Sequence, residues 1–142
     1  MFASWKEKLT RKKAKEKAIA ESRRWKDNAL LQDCLQAMRG NCTVAPMDMH
    51  EAAITAVNIA LQENSWTQLD ELIDIPDDFF ADTLFIVWDD ETLPVLKTPG
   101  FLADKCLPDV QAVSNQTFLM AETMDRIIWF DAHNRIRLYS IA

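Results

Sequence analysis

The order of hydrophobic and polar positions divides the chain into a helical first half and a strand-rich second half. Up to about residue 73, apolar side chains mostly recur every three to four positions, as in amphipathic helices, although the first stretch is helical chiefly by its Ala, Lys, Glu and Arg content. Gly40 gives the expected end of the first helix, and Asp48 and Ser65 begin sequences that resemble capping boxes. Three helices are therefore predicted, over about residues 5–38, 48–63 and 66–73.

Beyond this region the period changes to that of β-strands. Thr83–Trp88 is an apolar run of strand-forming residues, and the polar turn after it leads into a return strand over Thr92–Lys97. Pro94 predicts that this return strand lies at a sheet edge. Residues 101–116 fit either a helix or a loop. Further strands are predicted over Thr117–Ala121, Arg126–Phe130 and Ile136–Ser140.

Helices first and strands afterwards predict an α+β fold, with N-terminal helices packed on one face of a C-terminal antiparallel sheet of about four to five strands. The length of 142 residues and the hydrophobic content of 49% fit a single domain with a substantial core. The charge is uneven, because residues 1–40 carry 11 Lys/Arg and 5 Asp/Glu, whereas the remaining 102 carry 5 and 17. We therefore expect a basic helical arm, residues 1–26, joined to one acidic α+β domain, residues 27–142.

The residue types that build most cofactor and metal sites are scarce. Two glycines, Gly40 and Gly100, are too few for a phosphate-binding loop, and two histidines and three separated cysteines fit no zinc motif. We therefore predict no catalytic residues, no cofactor and no metal site. The odd set of cysteines, the charged start of the chain and the lack of an apolar stretch of about 18 residues predict a soluble cytoplasmic protein.

Acidic residues are the most concentrated chemical feature of the second half of the chain. A solvated surface is one interpretation, and a divalent-metal nuclease or phosphatase site is another. The third is a surface that attracts a basic partner by electrostatic steering. Trp88 lies on a predicted strand and is most simply a core or sheet-face residue, but if exposed beside the acidic turn it would be the apolar anchor of this surface. The candidate partner-binding residues are Asp70, Glu71, Asp74, Asp77, Asp78, Asp82, Trp88, Asp89, Asp90 and Glu91.

The basic arm also has several interpretations. Its lysines and arginines fit contact with nucleic-acid phosphates or with an anionic membrane surface. The same helix fits a solvated element that folds back on the acidic body, or one that docks on a partner or on a second copy. All of these stay open at the level of the sequence.

The charge pattern favours a small binding or inhibitory protein over an enzyme. Nuclease active sites are cationic because their substrate is anionic, so a compact acidic domain is suited to occlude them. The most concrete hypothesis is an immunity protein or antitoxin that neutralises a basic, nuclease-type toxin. The alternative is a nucleic-acid or membrane accessory protein that uses the basic arm. The first hypothesis requires that the carboxylates between Asp70 and Glu91 converge into one accessible patch.

Overall fold

The computed structural model describes residues 28–63, 65–90, 92–133 and 135–141. The basic arm, residues 1–26, lies outside these ranges with most of the first predicted helix, and so does Glu91. The described α-helices are α1 (Ala29–Ala37), α2 (Met47–Gln62), α3 (Gly100–Lys105) and α4 (Leu107–Ala112), and two 3-10 helices span Leu72–Asp74 and Asp77–Phe80. The described strands are β1 (Thr43–Val44), β2 (Thr67–Leu69), β3 (Thr83–Trp88), β4 (Leu96–Pro99), β5 (Thr117–Ala121), β6 (Arg126–Phe130) and β7 (Ile136–Ser140).

The described strands form one sheet in the order β1-β4-β3-β5-β6-β7-β2, and every neighbouring pair is antiparallel. This confirms the predicted α+β class. The sheet has seven strands rather than four to five, because β1 and β2 add a short strand at each edge. Strands of two and three residues contain too few positions to show an alternating pattern in the sequence.

The hydrophobic core lies on both faces of this sheet. In β3, Leu84 and Ile86 pack on the side that holds α1, α3 and α4, whereas Phe85 and Val87 pack on the side that holds α2. The helices thus cover both faces, where the sequence predicts them on one. A strand buried on both faces is apolar at successive positions, which explains why β3 and β5 appear in the sequence as continuous apolar runs.

Local signals set the bounds of the two longer helices. The Asn28 side-chain oxygen accepts a hydrogen bond from the backbone N–H of Leu31 at 3.0 Å and caps the start of α1. This helix ends as predicted before Gly40, which has a positive φ of 72°. α2 begins after Pro46, which makes no side-chain capping bond, so the capping box predicted at Asp48 is wrong. Asp48 lies instead in the first turn, where the helix dipole favours a carboxylate.

The prediction of a third helix over residues 66–73 is wrong. Its first part forms β2, which pairs with β7, and one turn of 3-10 helix follows. The Trp66 indole N–H donates to the carbonyl oxygen of Ala60 at 2.8 Å, and the Trp66 ring packs against that of Trp129. These tertiary contacts and the hydrogen bonds to β7 outweigh a weak local preference for helix.

The segment after β3 also differs from its prediction. The return strand β4 begins at Leu96, so Pro94 lies before the strand and removes no hydrogen bond from it. β4 is not at the sheet edge, because β1 pairs with its outer side. The undecided region, residues 101–116, is largely helical and holds most of α3 and all of α4. These helices connect the end of β4 to the start of β5.

Candidate binding surface

The strand directions separate the predicted acidic surface into three groups. Asp82 comes directly before β3 and Asp89 directly after it, so their Cα atoms lie roughly 23 Å apart at about 3.3 Å per residue. Asp70 follows β2, and three strands stand between β2 and β3, a separation of roughly 19 Å across the sheet. Among the described carboxylates, Asp70, Asp82 and Asp89 therefore lie far apart rather than in one patch, although Asp74 and Asp77 are close along the chain. We name them the β2 group (Asp70, Glu71, Asp74), the β3-start group (Asp77, Asp78, Asp82) and the β3-end group (Asp89, Asp90).

The β3-end group consists of exposed turn residues. The Asp89 carboxylate accepts hydrogen bonds from the hydroxyl of Ser114 and from the backbone N–H of Gln116. The Asp90 carboxylate accepts two more from Thr92, at 2.9 Å from its backbone N–H and 2.7 Å from its hydroxyl. The Asp90 carboxylate thus stabilises its own turn, as Asp commonly does, whereas the Asp89 carboxylate joins this turn to the segment before β5.

Trp88 lies in the core, which is the simplest interpretation of its strand position in the sequence, and it is not an exposed anchor. Its side chain is 5% exposed, and the indole N–H donates to the carbonyl oxygen of Val110 in α4 at 3.0 Å. The apolar character of β3 that made Trp88 conspicuous in the sequence reflects burial beneath this helix. In this structure Trp88 is not available to a partner.

The β2 group includes a capping box. The Asp74 carboxylate accepts a hydrogen bond from the backbone N–H of Glu71 at 2.9 Å, and the Glu71 carboxylate accepts one from the backbone N–H of Asp74. This reciprocal pair closes the first 3-10 helix. Asp70, directly before it, is exposed.

The β3-start group borders a groove at the end of the sheet where β3 begins. This β3 groove has a volume of about 440 Å³. Its lining consists of Asp78, Phe79, Ala81, Asp82, Thr83, Leu84, Pro99, Gly100, Phe101, Ala121, Glu122, Thr123 and Arg126. The Phe101 side chain is 68% exposed, and Asp78, Asp82 and Glu122 are exposed beside it. Asp77 is exposed as well but does not line the groove.

The lining of the β3 groove is negative, because it contains three carboxylates and one guanidinium. Arg126 Nη1 lies 3.1 Å from both carboxylate oxygens of Asp78, and its guanidinium is 5.6 Å from the centre of the Phe79 ring. Lys97 Nζ lies 3.1 Å from the carboxylate of Glu122. Asp82 forms no ion pair within the described part of the chain. In the β3 groove, the Asp78 carboxylate and the Phe79 ring thus already bind the Arg126 guanidinium.

Close backbone contact shapes one wall of the groove. The Gly100 N–H donates to the carbonyl oxygen of Asp82 at 2.9 Å. A Cβ atom at position 100 would lie 2.4 Å from the carbonyl oxygens of both Asp82 and Phe80. A glycine is therefore needed where α3 begins.

Sequence reasoning missed Glu122, Phe101 and Arg126. β3 and β5 pair antiparallel with Leu84 opposite Ala121, which brings Glu122 beside the start of β3. The backbone N–H of Glu122 donates to the carbonyl oxygen of Thr83 at 3.2 Å, just beyond this ladder. The pairing register of β3 and β5 alone brings together residues that are some 40 positions apart. The sequence gives no direct signal of this register.

The cysteines lie in or against the core. Cys34 and Cys106 are buried and Cys42 is partly buried, and all three are free thiols. Burial, with smaller contributions from Cys42, Asp109 and Cys106, raises the pKa of Cys34 to about 12. Burial also raises the pKa of Cys42, although a backbone hydrogen bond opposes this. Both groups are therefore protonated at neutral pH, the form in which a thiol is a poor nucleophile.

No group of three or more His, Cys, Asp or Glu within the described ranges is placed to hold a metal ion. None of the helices described for this chain combines the length and apolarity needed to cross a membrane. Comparison with protein-family models and with curated proteins finds no match.

Proposed function

We propose that this chain is a small acidic binding or inhibitory protein, not an enzyme, that uses the β3 groove to hold cationic side chains of a basic protein partner. The observation that carries the proposal is a concave, net negative lining next to an exposed phenylalanine. Charged rims around an apolar contact are the usual composition of a protein interface. In this proposal no cofactor takes part.

The interaction of Arg126 with Asp78 and Phe79 illustrates the chemistry. Asp82 and Phe101 offer a second carboxylate and a second ring on the same groove. A lysine or arginine of a partner would gain an ion pair with one and a cation–π or apolar contact with the other. Because Arg126 already occupies Asp78 and Phe79, the pair of Asp82 and Phe101 is the one offered to a cationic side chain of the partner.

In its most concrete form, the proposal is an immunity protein or antitoxin that occludes the active site of a basic, nuclease-type toxin in the cytoplasm. A toxin that binds an anionic substrate must present a cationic cleft, and an acidic groove complements that cleft. The single acidic patch that the sequence hypothesis required does not form among the described residues. The proposal therefore rests on the β3 groove instead, and of the predicted binding residues only Asp78 and Asp82 line it.

A nucleic-acid or membrane accessory protein is the second candidate, favoured by the excess of basic residues before position 40. Under this function, deletion of residues 1–26 abolishes salt-dependent binding to random DNA or to anionic vesicles. Under the leading proposal the same deletion leaves capture of the basic protein intact.

The leading proposal is tested by affinity purification of the full chain from its native host. The double variant D82N/E122Q removes two groove charges, and D48N/E51Q removes two exposed charges from α2 as a matched control. We expect the wild type and the control to recover the same basic protein and the groove variant to bind it about tenfold or more weakly. Equal recovery by all three would contradict the proposal.

A further inference from the structure

Two adjacent apolar side chains in the first 3-10 helix are exposed. Ile73 is 82% exposed and Leu72 is 52% exposed. Ile73 exposes a larger fraction of its surface than any other large hydrophobic side chain in the described part of the molecule. Single exposed apolar residues are common, but a contiguous apolar protrusion is typical of an interaction surface.

The protrusion is held in a fixed conformation. The capping box of Glu71 and Asp74 closes the turn on both sides of the pair. Ile75, directly after it, is 5% exposed and packs in the core, and its backbone N–H donates to the carbonyl oxygen of Leu72 at 3.1 Å. Leu69, before it, packs against the same core from the edge strand β2. A preordered protrusion loses little conformational entropy on binding.

The acidic residues around Leu72 and Ile73 limit the chemistry of the surface that can pack on these two side chains. The exposed carboxylates of Asp70, Glu71 and Asp74 surround Leu72 and Ile73 within five consecutive residues. An anionic membrane would be repelled by these carboxylates. An apolar pocket rimmed by Lys or Arg matches both the protrusion and its charges, in the arrangement of a desolvated centre within a charged rim.

We propose that Leu72 and Ile73 form the apolar anchor of the partner interface and insert into a pocket of a basic protein that is rimmed by Lys or Arg. This inference rests on the proposed function, because the same partner binds the β3 groove. The segment from Asp70 to Asp82 connects the two sites, since Ile75 and Phe79 fasten it to the core between them. The groove then supplies electrostatic attraction and the anchor supplies most of the resistance to dissociation.

The test places the photo-crosslinking residue benzoylphenylalanine at position 73 of the full chain in its native host. Position 59 is the matched control, because Ile59 is 50% exposed and lies on α2, on the opposite face of the sheet. We expect an adduct at position 73 with a segment of a basic protein that contains apolar residues next to Lys or Arg. No such adduct is expected at position 59. An adduct with residues 1–27 of this chain, an adduct with a second copy, or no adduct at position 73 would overturn the inference.

A binding measurement separates this inference from the proposed function. With the purified crosslinked protein, Ile73→Ser is expected to raise Kd at least tenfold through faster dissociation, and Ile59→Ser is expected to leave Kd unchanged. The melting temperature of Ile73→Ser should equal that of the wild type, since the side chain is largely solvated. If D82N/E122Q weakens binding and Ile73→Ser does not, the anchor is refuted and the proposed function stands. If neither variant changes Kd, both are refuted.

Discussion

Acidic residues that are neighbours in the sequence perform different tasks in the fold. The Asp90 carboxylate accepts hydrogen bonds from Thr92, and the Asp74 carboxylate accepts one from the backbone at the start of its own 3-10 helix. The Asp78 carboxylate forms an ion pair with Arg126. Asp82 borders the β3 groove without an ion pair in the described chain. The hydrogen-bond partners of each carboxylate, rather than the number of acidic residues, decide which of them can meet a partner.

The core position of Trp88 predicts a stability effect without a binding effect. Replacement of Trp88 by Phe removes the N–H that satisfies the Val110 carbonyl oxygen and leaves a small cavity. We expect the free energy of unfolding, measured by urea titration, to fall by about 1–3 kcal/mol. Affinity for the basic partner should be unchanged while the variant is folded. Weaker binding at unchanged stability would show that Trp88 contacts the partner.

The raised thiol pKa values predict slow cysteine alkylation. Because burial raises the pKa of Cys34 to about 12, its thiolate is scarce at neutral pH and increases only as pH approaches that value. In iodoacetamide labelling at pH 7.5, we expect Cys42 to react more slowly than a free thiol and Cys34 to react only after denaturation. Rapid labelling of Cys34 in the folded protein would contradict its burial.

At the level of elements, long apolar runs were predictable and short edge elements were not. β3, β5, β6 and β7 coincide with their predicted bounds, since each is a run of strand-forming residues with turn residues at its ends. β2 was mistaken for a helix because its conformation depends on pairing with β7 and on the packing of Trp66. The groove residue Glu122 was missed for a similar reason, as strand register alone brings it beside the start of β3.

The start of α3 is the element junction most sensitive to a single methyl group. In Gly100→Ala, the new Cβ would meet two backbone carbonyl oxygens, which cannot move aside as a flexible side chain would. We expect a loss of about 1–3 kcal/mol in unfolding free energy and a changed groove. Gly40→Ala, at a positive φ of 72° but in open space, is the comparison and should cost about 1 kcal/mol. A smaller loss for Gly100→Ala than for Gly40→Ala would refute this contact.

For the whole molecule, the uneven distribution of charge along the chain bears more on partner binding than the net charge of −6 does. The described domain presents its carboxylates in three groups, and the β3-start group borders a concave surface. Under the proposed function, long-range attraction of a basic partner comes from all of them, whereas specific recognition comes from the β3 groove and from Leu72 and Ile73. Mutation of a charge far from the β3 groove should therefore change the association rate constant less than mutation of a charge in the groove.

The role of the β3 groove is tested by the rate constant for association with the recovered basic protein, measured at ionic strengths from about 0.05 to 0.5 M. We expect the rate constant of the wild type to fall steeply as salt screens the groove charges. D82N/E122Q should show a lower rate constant and a shallower dependence on salt, whereas D48N/E51Q should stay close to the wild type. Identical salt dependence for the groove variant and the wild type would contradict the claim that the β3 groove recognises a basic partner.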